Sequence, residues 1–129
     1  MKYFVMLVPA ALLLFIAGCG GQKADPEKLK QANAMVDSGR YEEGIQQLEG
    51  LAKSSSNDEA LKQSLISAHM LYAEFFMEND TLSPKVKYPN ALKHYRAVLK
   101  LDPNNKNAQD NANQIISIYK MMGREVPNV

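Results

Sequence analysis

Residues 87–105 read KYPNALKHYRAVLKLDPNN. A proline is tolerated in the first turn of a helix, where its missing N–H has no intrahelical partner to lose, so Pro89 can open one. Ala91, Tyr95, Val98 and Leu99 then recur at the three- and four-residue intervals that place side chains on one helical face. Asp102-Pro103-Asn104-Asn105 ends the pattern, because proline cannot continue a helix and short polar side chains compete for the backbone. The stretch predicts a helix from Pro89 to the residue before Asp102. Residues 80–88, which contain Ser83-Pro84, read as a loop before it.

The same rhythm extends in both directions. Downstream, Ala108, Ala112, Ile115, Ile116 and Tyr119 predict a helix from about Lys106 to Met122, with Gly123 as its stop. Upstream, Leu61, Leu65, Ala68, Tyr72, Phe75 and Phe76 predict the longest helix, capped by Asn57 or Asp58 and ending near Asn79. Ile45, Leu48, Leu51 and Ala52 predict a helix opening near Tyr41 and closed by Ser54-Ser55-Ser56-Asn57. Asp25-Pro26, an N-cap followed by proline, opens the first helix, in which Leu29, Ala32, Met35 and Val36 share a face until Ser38-Gly39. No segment sustains the alternation of a half-buried strand, so the expected class is all-α.

Two of these segments are alike. In SGRYEEGIQQLEGLAKSSSND (38–58) and KYPNALKHYRAVLKLDPNN an aromatic opens the helix, a small residue follows three positions on, and large apolar residues come four and seven after that. Tyr41, Gly44, Leu48 and Leu51 match Tyr88, Ala91, Tyr95 and Val98 in spacing. These segments resemble the second helices of tetratricopeptide (TPR) repeats, a family that repeats a helix pair about every 34 residues. The resemblance covers residues 25–122. It implies two helix pairs and a C-terminal capping helix, small residues where helices approach closely, and a protein-binding role. The second unit exceeds the family period by about 13 residues.

The amino terminus carries a different signal. Met1-Lys2 is followed by an uncharged, Leu-rich run from Tyr3 to Ile16, too short for the roughly 20 apolar residues of a spanning helix but suited to the 7–15 of a signal-peptide core. The run ends at Ile16-Ala17-Gly18-Cys19, which resembles the lipobox of bacterial lipoproteins. The resemblance implies a signal peptide over 1–18, cleavage before Cys19, and acylation of Cys19 by a diacylglyceryl group and usually by an N-terminal fatty acid such as palmitate. The other reading is a generic signal peptide cut at Ala17 or Gly18. Two acyl chains give stable attachment at about 0.8 kcal/mol per buried methylene, which anchors a chain without spanning. Residues 19–24 then form the lipidated N-terminus and a short Gly-rich tether holding the domain within about 15 Å of the bilayer. Gly20, in place of the Asp of inner-membrane retention, favours the periplasmic face of an outer membrane where the host has one.

Charge and chemistry narrow the function further. Loss of Lys2 reduces the 15 basic residues to 14 against 14 acidic ones, a balance that argues against nucleic acid, which needs a basic footprint. Cys19 is the single cysteine, so no disulfide can form within one chain. No metal-ligating spacing, phosphate loop or nucleophile motif occurs, and no catalytic residue, metal or cofactor is expected. His69 and His94, on helices among apolar neighbours, read as structural. Tyr72, Phe75, Phe76 and Tyr95 read as core. Lys93, Arg96 and Lys100 share a helical stripe, read first as a solvated face and otherwise as a contact for an acidic protein or anionic headgroups. The expectation is a non-catalytic adaptor binding a protein partner of the bacterial cell envelope, residues 123–129 being a tail. The alternative is a lipoprotein holding a small apolar ligand or lipid between its helices near Tyr72, Phe75 and Phe76.

Overall fold

A computed structural model describes residues 21–129. The expected signal peptide and the lipobox Ile16, Ala17, Gly18 and Cys19 lie outside the described residues. Five helices follow one another: α1 (Pro26–Asp37), α2 (Tyr41–Ala52), α3 (Glu59–Glu78), α4 (Pro84–Leu101) and α5 (Lys106–Met121). No strand occurs among the described residues, as the periodicity predicts. No helix among them is long and apolar enough to cross a membrane.

The helix ends follow from single residues. Asp25 caps α1 by accepting from the Glu27 and Lys28 N–H groups, and Pro26 occupies the first turn. Gly39, at φ 82°, lets the Arg40 N–H reach back to the Met35 carbonyl and its own N–H to that of Val36. Gly123, at φ 63°, closes α5 in the same way with Arg124 bonding Tyr119 and Gly123 bonding Lys120. Both are the left-handed helix stop that glycine adopts without steric cost.

α4 begins earlier than the sequence predicts. Residues 84–88, expected in the loop, are its first turn, and only 79–83 remain as the connection. Pro84 takes the first-turn position expected of Pro89. Pro89 therefore sits inside the helix, where it forgoes the bond its N–H would give to the Lys85 carbonyl, a defect of about 3 kcal/mol in an unsupported helix. Tertiary packing offsets it: Leu82 and Tyr88 lie against the core of α3 and α4. The Asn90 side chain also donates to the Val86 carbonyl at 2.8 Å, beside the gap.

Helices pack chiefly on their neighbours in sequence, with α1 also touching α3. The buried apolar residues form two clusters that meet along α3. One joins Ala32 and Val36 of α1, Ile45 and Leu48 of α2, and Leu61, Leu65 and Ala68 of α3. The other joins Ala73 and Phe76 of α3, Ala91, Leu92, Tyr95 and Val98 of α4, and Ala108, Ala112, Ile115 and Tyr119 of α5. Tyr72 and Leu101 touch both clusters. α5 covers the outer side of α4 while Met121 and Met122, at its end, stay exposed.

Both ends of the described residues are docked. Ala24, placed by the sequence in the tether, is buried, and its N–H donates to Asp58 Oδ2 at 2.8 Å. Asp58 Oδ1 accepts from the Leu61 N–H and caps α3. These backbone donors, Ala24 foremost, hold the Asp58 carboxyl below its ordinary pKa. Ala24 thus belongs to the folded domain and not to the expected tether. The tail is not free either: Val126 packs on the second cluster, and Arg96 Nη1 donates to the Pro127 and Val129 carbonyls at 2.8 and 3.0 Å.

Candidate partner-binding groove

A groove of about 380 Å³ runs between α2 and α4 and is floored by α3. Its lining follows from helical spacing. Glu42, Ile45, Gln46 and Glu49 recur at three and four along α2, His69 and Tyr72 are three apart on α3, and Asn90, Lys93 and His94 span four on α4. The walls are therefore polar and of both signs, acidic along α2 and basic at Lys93, while the floor is aromatic.

His69 and His94 meet in that floor. Their Nδ1 atoms are 2.9 Å apart and both rings are buried. A bond between two Nδ1 atoms requires one to carry a hydrogen and the other a free lone pair, so the pair is satisfied only when a ring is neutral at Nδ1. Burial disfavours the imidazolium and pulls both groups from 6.5 to about 4, with a smaller contribution from the Lys93 charge on each. The two histidines read as structural in the sequence are placed accordingly, as a neutral pair tying α3 to α4. Among the described residues no group of three or more His, Cys, Asp or Glu is placed to share a metal ion.

The aromatic floor continues out of the groove. Tyr72 packs on the His94 ring at 4.5 Å and on Phe76 at 4.7 Å between centroids, and stacks on Tyr41 at 5.2 Å. Phe75 then meets Tyr41 at 5.6 Å and Phe76 edge-on at 5.6 Å. Of the four aromatics expected in the core, Tyr95 and Phe76 are buried and Tyr72 is half-buried. Phe75 is a correction: it is 42 % exposed, beside Leu71 at 36 %. Phe76 faces the core, and Phe75, about 100° further round the helix, is turned out beside Tyr41.

The stripe Lys93, Arg96 and Lys100 is divided. Lys93 is exposed at the groove rim and Lys100 is exposed a further two turns along α4. Arg96 is half-buried, its guanidinium taken up by the C-terminal carbonyls. Glu42, Gln46, Glu49 and Asn90 carry no signal of their own, because a polar stripe beside an apolar one is what any surface helix shows. Only the approach of α4 makes them a wall. Comparison of the chain with protein-family models, with curated proteins and with solved structures found no match.

Proposed function

We propose that this chain is a lipid-anchored, non-catalytic adaptor of a bacterial cell envelope, in which a TPR-like domain binds another protein. The observation that carries the reading is the open groove of Glu42, Gln46, Glu49, Asn90 and Lys93, which runs past the half-buried Tyr41 to the exposed Leu71 and Phe75. Polar walls of both signs with an aromatic end suit a protein segment, which brings backbone groups, charges and a few apolar anchors together. A small apolar ligand needs an apolar enclosure, and the space between α3 and α4 is filled by Ala73, Phe76, Leu92 and Tyr95. Two further features support the family part of the reading: Gly44 at the closest approach of α1 and α2, and packing that runs from each helix to the next.

In this reading the lipid on Cys19 confines the domain to a membrane surface and raises its effective concentration near partners held in the same membrane. The periplasmic face of an outer membrane is the proposed site where the host has one. The test is metabolic labelling with an alkyne fatty acid in the native host, comparing the full chain with Cys19→Ala. Label on the native chain, lost in the variant together with membrane fractionation, is the expected result. Equal labelling of the variant, or no label on either, overturns the anchor. In-cell crosslinking of the anchored chain tests the adaptor role, and absence of any crosslinked protein overturns it.

A further inference from the structure

The aromatic end of the groove has a charge environment of its own. Tyr41, Leu71 and Phe75 are bordered by Glu74, Glu78 and Asn79 on one side and by Glu42 and Glu43 on the other. α2 carries Glu42, Glu43 and Glu49 with no Lys or Arg, and α3 from Gln63 to Glu78 carries only Glu74 and Glu78 as charged side chains. The one cation at the border, Arg40, is paired with Glu43. Lys87, on the facing end of α4, is paired with Asp80. An exposed apolar centre thus stands inside an acidic rim whose Glu42, Glu74 and Glu78 form no ion pair among the described residues.

The position of this patch is fixed as well. Ala24 is held at Asp58, the start of α3, and Phe75 lies 17 positions further along that helix, about 25 Å away at 1.5 Å per residue. On the anchored-adaptor reading, the patch is at the end of the domain remote from the lipid. An acidic rim repels anionic headgroups, so a membrane surface is the wrong occupant. A second copy placed patch to patch would oppose like charges.

From this exposure, charge and placement we infer that the Tyr41–Leu71–Phe75 patch docks a basic amphipathic segment of the partner protein, resting on the adaptor reading above. One apolar side chain of that segment seats over Leu71 and Phe75, beside Tyr41. Lys or Arg residues a helical turn to either side reach Glu74, Glu78 and Glu42, and an Arg can also lie over the Phe75 face. The apolar anchor supplies affinity, and the rim selects basic segments over acidic ones.

The experiment places a photo-crosslinking amino acid at Phe75 in the full chain, in its native membrane, with Lys93 and Asn33 as comparison positions, and sequences the crosslinked peptide by mass spectrometry. The expected capture at Phe75 is one protein segment of net positive charge with helical apolar spacing. Its yield falls about tenfold or more in the Glu74→Lys/Glu78→Lys chain and is restored when the captured basic residues are changed to Glu. Should that variant fail to fold, raising the salt around membranes bearing the unaltered rim must lower the yield in the same sense. A neutral or acidic segment, a lipid, a second copy of this chain, or a yield indifferent to both charge reversal and salt overturns the inference. Protein captured only at Lys93 or Asn33 overturns this surface and leaves the adaptor standing. Nothing captured at any of the three positions overturns the adaptor itself.

Discussion

Gly44 and Gly50 lie in the same helix, and changing each to alanine should move stability in opposite directions. A Cβ on Gly44 would stand 2.5 Å from Val36 Cγ2, 3.0 Å from the Ala32 carbonyl oxygen and 3.1 Å from the Val36 nitrogen, whereas one on Gly50 meets nothing within 4 Å. Ordinary carbon–carbon contact is about 3.5–4.0 Å, so α1 must retreat by roughly 1 Å or Val36 must leave its rotamer. Val36 is buried and β-branched, with one strongly preferred rotamer in a helix, and two of the three contacts are backbone. Overpacking of this kind costs about 1–3 kcal/mol, and the absence of a flexible neighbour puts Gly44→Ala in the upper half of that range. Alanine recovers about 1 kcal/mol of helix propensity at either site. The net expectation is about 1–2 kcal/mol of destabilisation for Gly44→Ala and about 0.5–1 kcal/mol of stabilisation for Gly50→Ala. Urea unfolding followed by far-ultraviolet circular dichroism reads these as a midpoint about 0.5–1 M lower for the first and a smaller rise for the second. Adding Val36→Ala to Gly44→Ala should cost less than the two single changes summed, because the clash disappears. If Gly44→Ala raises the midpoint alongside Gly50→Ala, the close approach of α1 and α2 is refuted.

Three further outcomes follow from the charged and docked groups. The folded chain keeps His69 and His94 neutral down to about pH 4, while the unfolded chain protonates them near 6.5, so the unfolded state binds more protons in between. Their contribution to stability is complete above pH 6.5 and is lost as pH falls toward 4; urea midpoints across that range should flatten in His69→Phe/His94→Phe, which leaves Glu42, Glu49 and Lys93 in place. Asp58→Asn keeps an oxygen for one backbone donor but not a carboxylate for two, so the Ala24 amide should lose its hydrogen-exchange protection; undiminished protection there would count against the docked N-terminal segment. Arg96→Ala removes both bonds to the C-terminal segment, and carboxypeptidase digestion of residues 124–129 should quicken while the core remains folded; an unchanged digestion rate would mean that Val126 alone holds the tail.

The five helices were legible because their apolar residues recur at helical spacing and their ends carry strong punctuation, such as Asp25-Pro26, Ser38-Gly39 and Gly123. Local signals of that kind act within a few residues. The start of α4 was not legible, because Ser83-Pro84 and Tyr88-Pro89 offer equivalent openings. The choice between them rests on Leu82 and Tyr88 finding a core contributed by α3 and α4. Arg96 is the same kind of case. Spacing put it in one stripe with Lys93 and Lys100, but its partners are carbonyls more than 30 residues away. The His69–His94 contact joins positions 25 apart, and either residue alone shows only a histidine among apolar neighbours.

The α3–α4 hairpin is longer than the α1–α2 hairpin, and the difference has a structural use that spacing alone does not reveal. The extra length is helix rather than loop: α3 has 20 residues and α4 18, against 12 each in α1 and α2. At 1.5 Å per residue α3 outreaches α2 by about 12 Å. The stacking of Tyr41, the first residue of α2, on Tyr72 fixes where that surplus lies, since it leaves the end of α3 beyond the start of α2. Phe75 stays exposed there because α2 has run out, with Leu71 one turn before it, and Glu74 and Glu78 keep that ledge soluble. An α3 as short as α2, ending about two turns earlier, would stop before Phe75 and expose no apolar centre to dock against. The length of α3 and the proposed docking surface are therefore one feature.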